Sequence, residues 1–393
     1  MISIASSISG KNFNMKADFI RRVRQSWRKA RAQRDRQRLA LAKRLLRRRR
    51  DGGPFNPNEI SNIGLFQWDD KLGDTLMATR FVNAVKTARP EIELTFITGP
   101  IGEAMLRDFS AIDNIEVCRR KDWVTAGRLG KIDKDFDLVM DLTTNMSAVR
   151  LFALKRLNAF HYMGYEQPDH ELFDVQVAKE ARHFADRYLA AAEAIVGPVS
   201  APAYFLPESE SATATVERFL ADIPANRTRV LINLFAGGKH RSFSSNEAEV
   251  LLRWWLNLRP DCFLMLLSVP GKGKELDELT RRIGSADACP TPTPPSVDLT
   301  VALTRAADVV FSPDTATVHI AAALEKPLIA VFTAKERNLA EWGPHYPAAR
   351  IVLTQPSQNR YDEVGINTFS RDQLRQAIDD LLPVAVEQRS SMN

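Results

Sequence analysis

The sequence predicts an α/β protein in which two doubly wound parallel-sheet domains follow a basic helical arm. Three observations predict this fold. Short apolar runs alternate with helical segments from about residue 60, a second cycle of this alternation begins near Arg229, and the prolines Pro198, Pro202 and Pro207 separate the two cycles. The predicted division is 1–58 for the arm and linker, 59–203 and 204–368 for the two domains, and 369–393 for a last helix and tail.

Each predicted strand is a short run of apolar residues with turn or helix signals on both sides. Such runs are typical of strands in a parallel sheet that helices cover on both faces. They are 63–66, 94–97 and 138–142 in the first cycle, and 230–234, 263–267, 307–312 and 328–332 in the second. The intervening segments carry apolar residues at helical spacing, and a last helix is predicted near 371–382.

The composition excludes several classes of protein. The chain has 393 residues, of which 45% are hydrophobic and 26% charged, as in ordinary globular proteins. No apolar run approaches the ~18 residues that a membrane-spanning helix needs, and the first residues lead into a basic segment rather than a signal-peptide cleavage region. Three widely spaced cysteines, Cys118, Cys262 and Cys289, indicate a reducing compartment rather than a disulfide framework.

The basic charge of the chain is concentrated in residues 16–50. This segment has 16 lysines and arginines against two acidic residues, whereas the remainder has 38 basic and 46 acidic residues. Phe19, Ile20, Val23 and Trp27 lie at helical spacing, so we expect an amphipathic helix that binds an anionic membrane surface. A solvated tail and a nucleic-acid-binding arm are the alternatives. No nucleic acid partner is expected, because the rest of the chain is acidic and shows no nucleic-acid-binding module.

Four loops are candidates for the functional site, because ligands of open α/β sheets bind at the carboxyl ends of the strands. They are 67–74, 235–245, 268–275 and 312–319. The first loop contains Asp70, Gly73 and Asp74 at the start of a predicted helix. An aspartate at this position either caps the helix or acts as a general base, and its spacing leaves both interpretations open.

The loop at 312–319 opens an alanine-rich helix and combines several hydrogen-bond donors. Free N–H groups at a helix N-terminus bind anions, and Thr315, Thr317 and His319 add side-chain donors. This combination predicts a phosphate site. The alternative interpretation is a helix cap followed by a buried core histidine.

Two of these loops resemble the signatures of glycosyltransferase family 9, which contains the bacterial lipopolysaccharide heptosyltransferases. Residues 70–76, Asp-Lys-Leu-Gly-Asp-Thr-Leu, resemble the family's N-terminal D-x-x-G-D loop. Residues 314–323, Asp-Thr-Ala-Thr-Val-His-Ile-Ala-Ala-Ala, resemble its D-[ST]-G-x-x-H-L-A-A-A signature, with Ala316 at the position of the glycine. The similarity covers about residues 60–382.

The resemblance implies a GT-B fold, in which two Rossmann-like domains face a cleft, and an inverting, metal-independent glycosyltransferase without a cofactor. The implied donor is a nucleotide-diphosphate sugar such as ADP-heptose, and the implied acceptor is the lipopolysaccharide core or a related lipid-linked saccharide. Carried over by position, Asp74 matches the general base, and Asp70 and Gly73 belong to the acceptor-side loop. The matches to donor contacts are Lys239 and Arg241 for the diphosphate, Glu275 for the ribose, and Asp314, Thr315, Ala316 and His319 for the diphosphate and sugar.

Two alternatives stand beside this interpretation. A homologue could keep the fold and bind a sugar nucleotide as a scaffold without turnover. The D-x-D pattern at 133–137 could hold a divalent cation, although its place before a predicted strand favours a solvated loop. The expected location is cytoplasmic and peripheral, at the inner face of the bacterial inner membrane, where a lipid-linked acceptor is within reach.

Overall fold

Strands and helices alternate through the part of the chain that follows the arm. The fold is taken from a computed structural model, which describes residues 26–27, 29–44, 53–119, 121–132, 134–144, 146–166, 172–180, 182–200, 202–356 and 364–382, with the side chain of Lys239 outside this description. The chain divides into two compact units. One comprises residues 1–56 and 119–176, and the other comprises residues 57–118 and 177–393.

The strands of the described residues form two six-stranded sheets. The first sheet consists of β1 (Asn62–Gln67), β2 (Glu93–Thr98), β3 (Asn114–Val117), β4 (Phe136–Asp141), β5 (Ala159–Tyr165) and β6 (Val175–Val177), in the order β3-β2-β1-β4-β5-β6. The second consists of β7 (Thr228–Ile232), β8 (Cys262–Leu266), β9 (Ala288–Pro290), β10 (Val309–Pro313), β11 (Leu328–Phe332) and β12 (Ala349–Leu353), in the order β12-β11-β10-β7-β8-β9. Each of the seven predicted strands is present, with ends that differ from the prediction by at most two residues.

Neighbouring strands run parallel. This holds for β1–β2, β2–β3 and β4–β5 of the first sheet and for all five pairings of the second. In the second sheet Leu231 of β7 lies opposite Val310 of β10 on one side and Met265 of β8 on the other. The chain order reverses between β7 and β10, so this sheet has the topological switch point at which doubly wound sheets bind ligands.

The helices connect these strands. They are α1 (Leu72–Ala88), α2 (Pro100–Leu106), α3 (Trp123–Arg128), α4 (Ala148–Arg156), α5 (Phe184–Val196), α6 (Glu210–Ala221), α7 (Ser245–Leu258), α8 (Gly273–Ile283), α9 (Val297–Ala306), α10 (Ala316–Ala323), α11 (Glu336–Trp342) and α12 (Arg371–Leu381). The predicted loop at 67–74 is shorter than expected, because α1 already begins at Leu72. Its buried face includes Leu76, Phe81, Val82 and Val85, and α1 packs against both α5 and α10.

The second sheet is buried on both faces. Successive side chains of a strand point to opposite faces, and accordingly Val230 and Ile232 pack with Trp255 in one hydrophobic cluster. Leu231, which lies between them, packs with Val318 in the cluster on the other face. Burial of both faces explains why the central strands are continuous apolar runs in the sequence.

The arm is described only in part. Residues 26–27 and 29–44 are helical, whereas Phe19, Ile20, Val23 and the arginines at 47–50 lie outside the described residues. Trp27 is 69% exposed and Leu41 is 57% exposed, while Ala42 is buried. Among the described helices, none has the length and apolar character required to cross a membrane. The predicted tail after Pro383 also lies outside the described residues.

Candidate active site

Asp70 ties the loop after β1 to the start of α2. Its backbone is in the left-handed region, with φ of 51°, which aspartate tolerates better than most residues. The Asp70 Oδ1 atom accepts hydrogen bonds from the backbone N–H groups of Ile101 at 2.8 Å and Gly102 at 3.1 Å. A carboxylate at this place satisfies two free N–H groups and favours the positive end of the helix. Asp70 is therefore a cap for α2.

Asp74 is in the first turn of α1 without being its cap. The cap position is Lys71, whose side chain makes no capping hydrogen bond. The helix-cap interpretation of Asp74 left open by the sequence is therefore not what the structure shows. Asp74 is 7% exposed, and its Oδ2 atom lies 3.7 Å from the Lys71 ammonium.

The turn that carries Asp74 packs against α10. A Cβ atom added at Gly73 would lie 2.6 Å from Cδ2 of His319, so only glycine fits beneath the imidazole ring. His319 is 6% exposed, and burial lowers its pKa to about 4, against the opposing effect of the nearby Asp314 charge. The ring is therefore neutral at pH 7. The structure thus brings the predicted acceptor-side loop into contact with the predicted donor helix.

The start of α10 lies at the topological switch point of the second sheet. Thr315 is its cap residue, and its Oγ1 atom accepts a hydrogen bond from the Thr317 backbone N–H at 3.3 Å. Asn233, which directly follows β7, donates from Nδ2 to the hydroxyl oxygens of Thr315 at 3.0 Å and Thr317 at 3.1 Å. Thr315 and Ala316 remain partly exposed. The backbone N–H groups of Thr317 and Val318 both donate to Thr315, so among the described contacts the Ala316 N–H is the one of the first three N–H groups of α10 that stays available to an anion at the positive end of the helix.

A cavity of about 340 Å³ adjoins this site on the carboxyl side of the second sheet. Its lining residues are Gly238, His240, Arg241, Asp314, Thr333, Ala334, Lys335, Asn338, Thr354, Gln355 and Val364. Arg241 Nη1 lies 3.3 Å from Asp314 Oδ2, and Asn338 Nδ2 donates to the same oxygen at 3.1 Å. The negative charge of Asp314 is thereby compensated, while the Arg241 side chain is 46% exposed and open to a ligand.

The remaining donor-side predictions fall in separate places. Lys239 begins the short 3-10 helix Lys239–Arg241, and its side chain lies outside the described residues. Glu275 is not among the residues that line the cavity. It accepts hydrogen bonds from Ser245 Oγ at 3.1 Å and from Lys272 Nζ at 2.5 Å. The bond from Lys272 holds the Glu275 pKa below its ordinary value, so this carboxylate is ionised at neutral pH.

Sequence reasoning missed several polar residues of this region. Asn233 was included in the predicted apolar strand 230–234. The feature that could have marked it as a site residue is its polar side chain near the carboxyl end of that run. Asn338 and Lys335 carried no signal, because they belong to α11 and its start, downstream of both matched signatures.

The D-x-D pattern is split by the fold. Asp133 lies outside the described residues, Asp135 accepts a hydrogen bond from Asn158 Nδ2, and Asp137 is part of β4. Within the described ranges, no three or more histidine, cysteine, aspartate or glutamate side chains converge as metal ligands would.

The family model described as glycosyltransferase family 9 (heptosyltransferase) matches residues 130–366, which is more than half of the chain. The chain belongs to glycosyltransferase family 9. The matched range includes the start of α10, Arg241 and Glu275, and it does not extend to the loop that carries Asp74. This membership confirms the resemblance seen in the sequence and identifies the protein as a glycosyltransferase.

Solved structures show the same fold at low sequence identity. A glycosyl transferase family 9 protein from Veillonella parvula aligns with a TM-score of 0.66 at 14% identity, over 84% of this chain and 98% of that one. The E. coli ADP-heptose LPS heptosyltransferase II aligns with a TM-score of 0.59 at 16% identity, over 84% and 100%. E. coli heptosyltransferase WaaC with ADP aligns with a TM-score of 0.58 at 15% identity, over 81% and 99%. These alignments confirm the predicted GT-B fold class for this family 9 chain. No curated protein sequence matches it.

Proposed function

We propose that this glycosyltransferase moves a sugar of the heptose type from a nucleotide-diphosphate donor such as ADP-heptose to a lipopolysaccharide core or a related glycan. The reaction proceeds with inversion at the anomeric carbon and without a metal ion. The names of two structural neighbours, an ADP-heptose LPS heptosyltransferase and a heptosyltransferase with ADP, support this donor class.

One observation carries the proposal: the first turn of α1 lies against α10, with Gly73 beneath the His319 ring. Asp74 follows Gly73 directly, so a carboxylate stands beside the helix whose N-terminus is suited to a diphosphate. Inverting transfer needs this arrangement, because the base and the leaving group act on opposite sides of one sugar carbon. Asp74 takes the proton of the acceptor hydroxyl while the oxygen of that hydroxyl forms the bond to the anomeric carbon of the donor sugar.

The leaving nucleoside diphosphate gains negative charge as its bond to the anomeric carbon breaks. The positive end of α10 with the Ala316 N–H, the Thr315 hydroxyl and the exposed guanidinium of Arg241 stabilise that charge. Lys239 is assigned to the same diphosphate by its place in the sequence. Ionised Glu275 accepts hydrogen bonds from the ribose hydroxyls, and Asp314, Ala316 and His319 complete the donor side.

The role of Asp74 is tested by D74N with D108N as the matched control, because Asp108 is an exposed carboxylate outside both signatures. D74N should lower the transfer rate by about 10²–10⁴, while ADP affinity in calorimetry stays that of the wild type. D108N should behave as the wild type in both measurements. Equal turnover by D74N and wild type would reject Asp74 as the base. ADP binding without turnover of any sugar nucleotide by the wild type would favour the scaffold alternative.

The arm is proposed to hold the enzyme at an anionic membrane surface on the cytoplasmic side, where a lipid-linked acceptor is available. Its 16 basic residues between 16 and 50 attract anionic headgroups, and Trp27 and Leu41 are exposed for insertion. Removal of residues 1–50 should lower sedimentation with phosphatidylglycerol vesicles and leave the thermal unfolding of the remainder cooperative. Equal sedimentation of both proteins would exclude this role.

A further inference from the structure

Helices α3 and α4 present two exposed apolar side chains that the proposed reaction does not use. Trp123 is 54% exposed and Val124 is 64% exposed, and both lie in the first turn of α3. The Trp123 ring packs at 5.5 Å from the ring of Phe152 on α4, which holds the indole in place. The exposed side chains of α3 and α4, together with the Leu129–Lys131 turn between them, are called the α3–α4 surface below.

The α3–α4 surface also carries cationic side chains. Among the residues that the structure describes, Arg128, Lys131 and Arg156 form no ion pair. A Cβ atom at Gly130 would lie 2.2 Å from Nη2 of Arg156, so the guanidinium lies flat over the Gly130 backbone. The Arg156 Nε atom is buried and has no hydrogen-bond partner.

The neighbouring acidic residue does not neutralise these cations. Asp122 is the cap of α3, and its Oδ1 atom accepts the Thr125 backbone N–H at 2.8 Å. Its carboxylate is therefore engaged at the positive end of the helix. The α3–α4 surface thus joins an exposed indole and an exposed valine to cations that lack counter-ions.

Val250, an exposed apolar side chain outside the arm, has a different setting. Val250 on α7 is 62% exposed, but Arg253 and Glu249 beside it form an ion pair at 3.1 Å. Exposure alone therefore does not distinguish the α3–α4 surface. The combination of an aromatic ring, an aliphatic side chain and unpaired cations distinguishes it from the surface around Val250 and is shared with the basic arm.

We propose that the α3–α4 surface is a second membrane contact, in the folded body of the enzyme, that binds an anionic lipid bilayer. This inference rests on the proposed lipid-linked acceptor. Tryptophan prefers the boundary between headgroups and acyl chains, because one part of the ring is apolar and its N–H is polar. Val124 inserts beside it, and Arg128, Lys131 and Arg156 bind lipid phosphate groups. Such a contact gives the enzyme a second point of attachment, which would fix its orientation on the membrane.

The test uses the full-length chain with its arm intact and vesicles that contain phosphatidylglycerol. W123S/V124S removes the two exposed apolar side chains of the α3–α4 surface. V250S/I351S is the matched control, because it removes two exposed apolar side chains from the other unit. V124S alone leaves the Trp123–Phe152 contact in place and serves if the double variant unfolds. We expect W123S/V124S to lower the vesicle partition coefficient about tenfold, V124S to lower it by less, and the control to match the wild type.

Two further measurements separate the possible outcomes. R128Q/K131Q should weaken binding to anionic vesicles and leave the weak binding to phosphatidylcholine vesicles unchanged. Wild-type partitioning of V124S and W123S/V124S would overturn the proposal, as would an equal loss in V250S/I351S. A wild type that is dimeric in solution while W123S/V124S is monomeric would assign the surface to a contact between copies instead. The rate of sugar transfer to a soluble acceptor analogue tests the role of Asp74 without vesicles. Failure of the proposed function and failure of the proposed membrane contact are therefore seen in separate measurements.

Discussion

At the scale of single residues, the contact between Gly73 and His319 is the most demanding feature of the candidate site. The ring of His319 occupies the space that any side chain at 73 would need. Because His319 is buried, the ring has little freedom to move aside. The distance between the first turn of α1, which carries Asp74, and helix α10 therefore depends on the absence of a Cβ atom at Gly73.

G73A should lower the transfer rate at least tenfold, because the added methyl group at 2.6 Å must push α1 and α10 apart and misplace Asp74. G127A is the control, since a Cβ atom at this helical glycine meets no atom within 4 Å. Steady-state kinetics on both variants measures the effect. Equal rates for G73A and G127A would show that the contact does not position the base.

At the scale of elements, the loop after β1 is held by its bonds to α2. Asp70 accepts two backbone N–H groups of α2, and Gly99 makes room for its carboxylate, since a Cβ atom there would lie 2.2 Å from Asp70 Cγ. The first aspartate of the D-x-x-G-D loop thus fixes the loop, and the second, Asp74, is the proposed base. Under the proposed function one motif serves two purposes, because a loop that presents a base must itself be anchored.

D70A should lower the free energy of unfolding by about 1 kcal/mol, as loss of a helix cap does. D70N should retain most of the stability, because its amide oxygen accepts the same two N–H groups and asparagine also tolerates a positive φ. Urea denaturation of the three proteins measures the effect. A D70A midpoint equal to that of the wild type would contradict the capping role.

At the scale of the whole molecule, the half-buried His183 and the buried His319 link stability to pH. Burial lowers the pKa of His183 to about 3, with neighbouring positive charge acting in the same direction, and burial lowers that of His319 to about 4. Both values lie below the ordinary 6.5 of an unfolded chain. Between pH 6.5 and about 4 the unfolded chain therefore binds more protons than the folded one, and stability falls as the pH falls.

Each histidine should contribute on the order of 1 kcal/mol of lost stability per pH unit within this window. The free energy of unfolding, measured in urea at pH 7 and pH 5, should decrease more for the wild type than for H183Q or H319Q. Carboxylates titrate alike in all three proteins, so the difference isolates the histidines. An identical decrease in the three proteins would show that neither ring is held neutral by the fold.

Most of the central strands and both signature loops could be predicted from the sequence, because strands buried on both faces are typically continuous apolar runs. Five strands were not predicted, namely the edge strands β3, β6, β9 and β12 and the inner strand β5. β3 and β12 carry Glu116 and Arg350 and are only half-buried, and β6 and β9 have three residues each, so no apolar run marks them. β5 is mostly buried, but His161 interrupts its apolar residues. At the candidate site, the two sequence signatures pointed to residues such as Asp74 and Asp314, whereas no signature pointed to Asn233 or Asn338.

By itself, then, the sequence determined the fold class, the family and the identity of the chemical groups available for sugar transfer. Only the tertiary structure decided which aspartate caps a helix, that Gly73 meets His319, and that Arg241 pairs with Asp314. The physical reason is separation along the chain. Local patterns report on neighbours a few residues apart, but these contacts join residues that the sheets bring together from distant segments, and packing alone sets their distances.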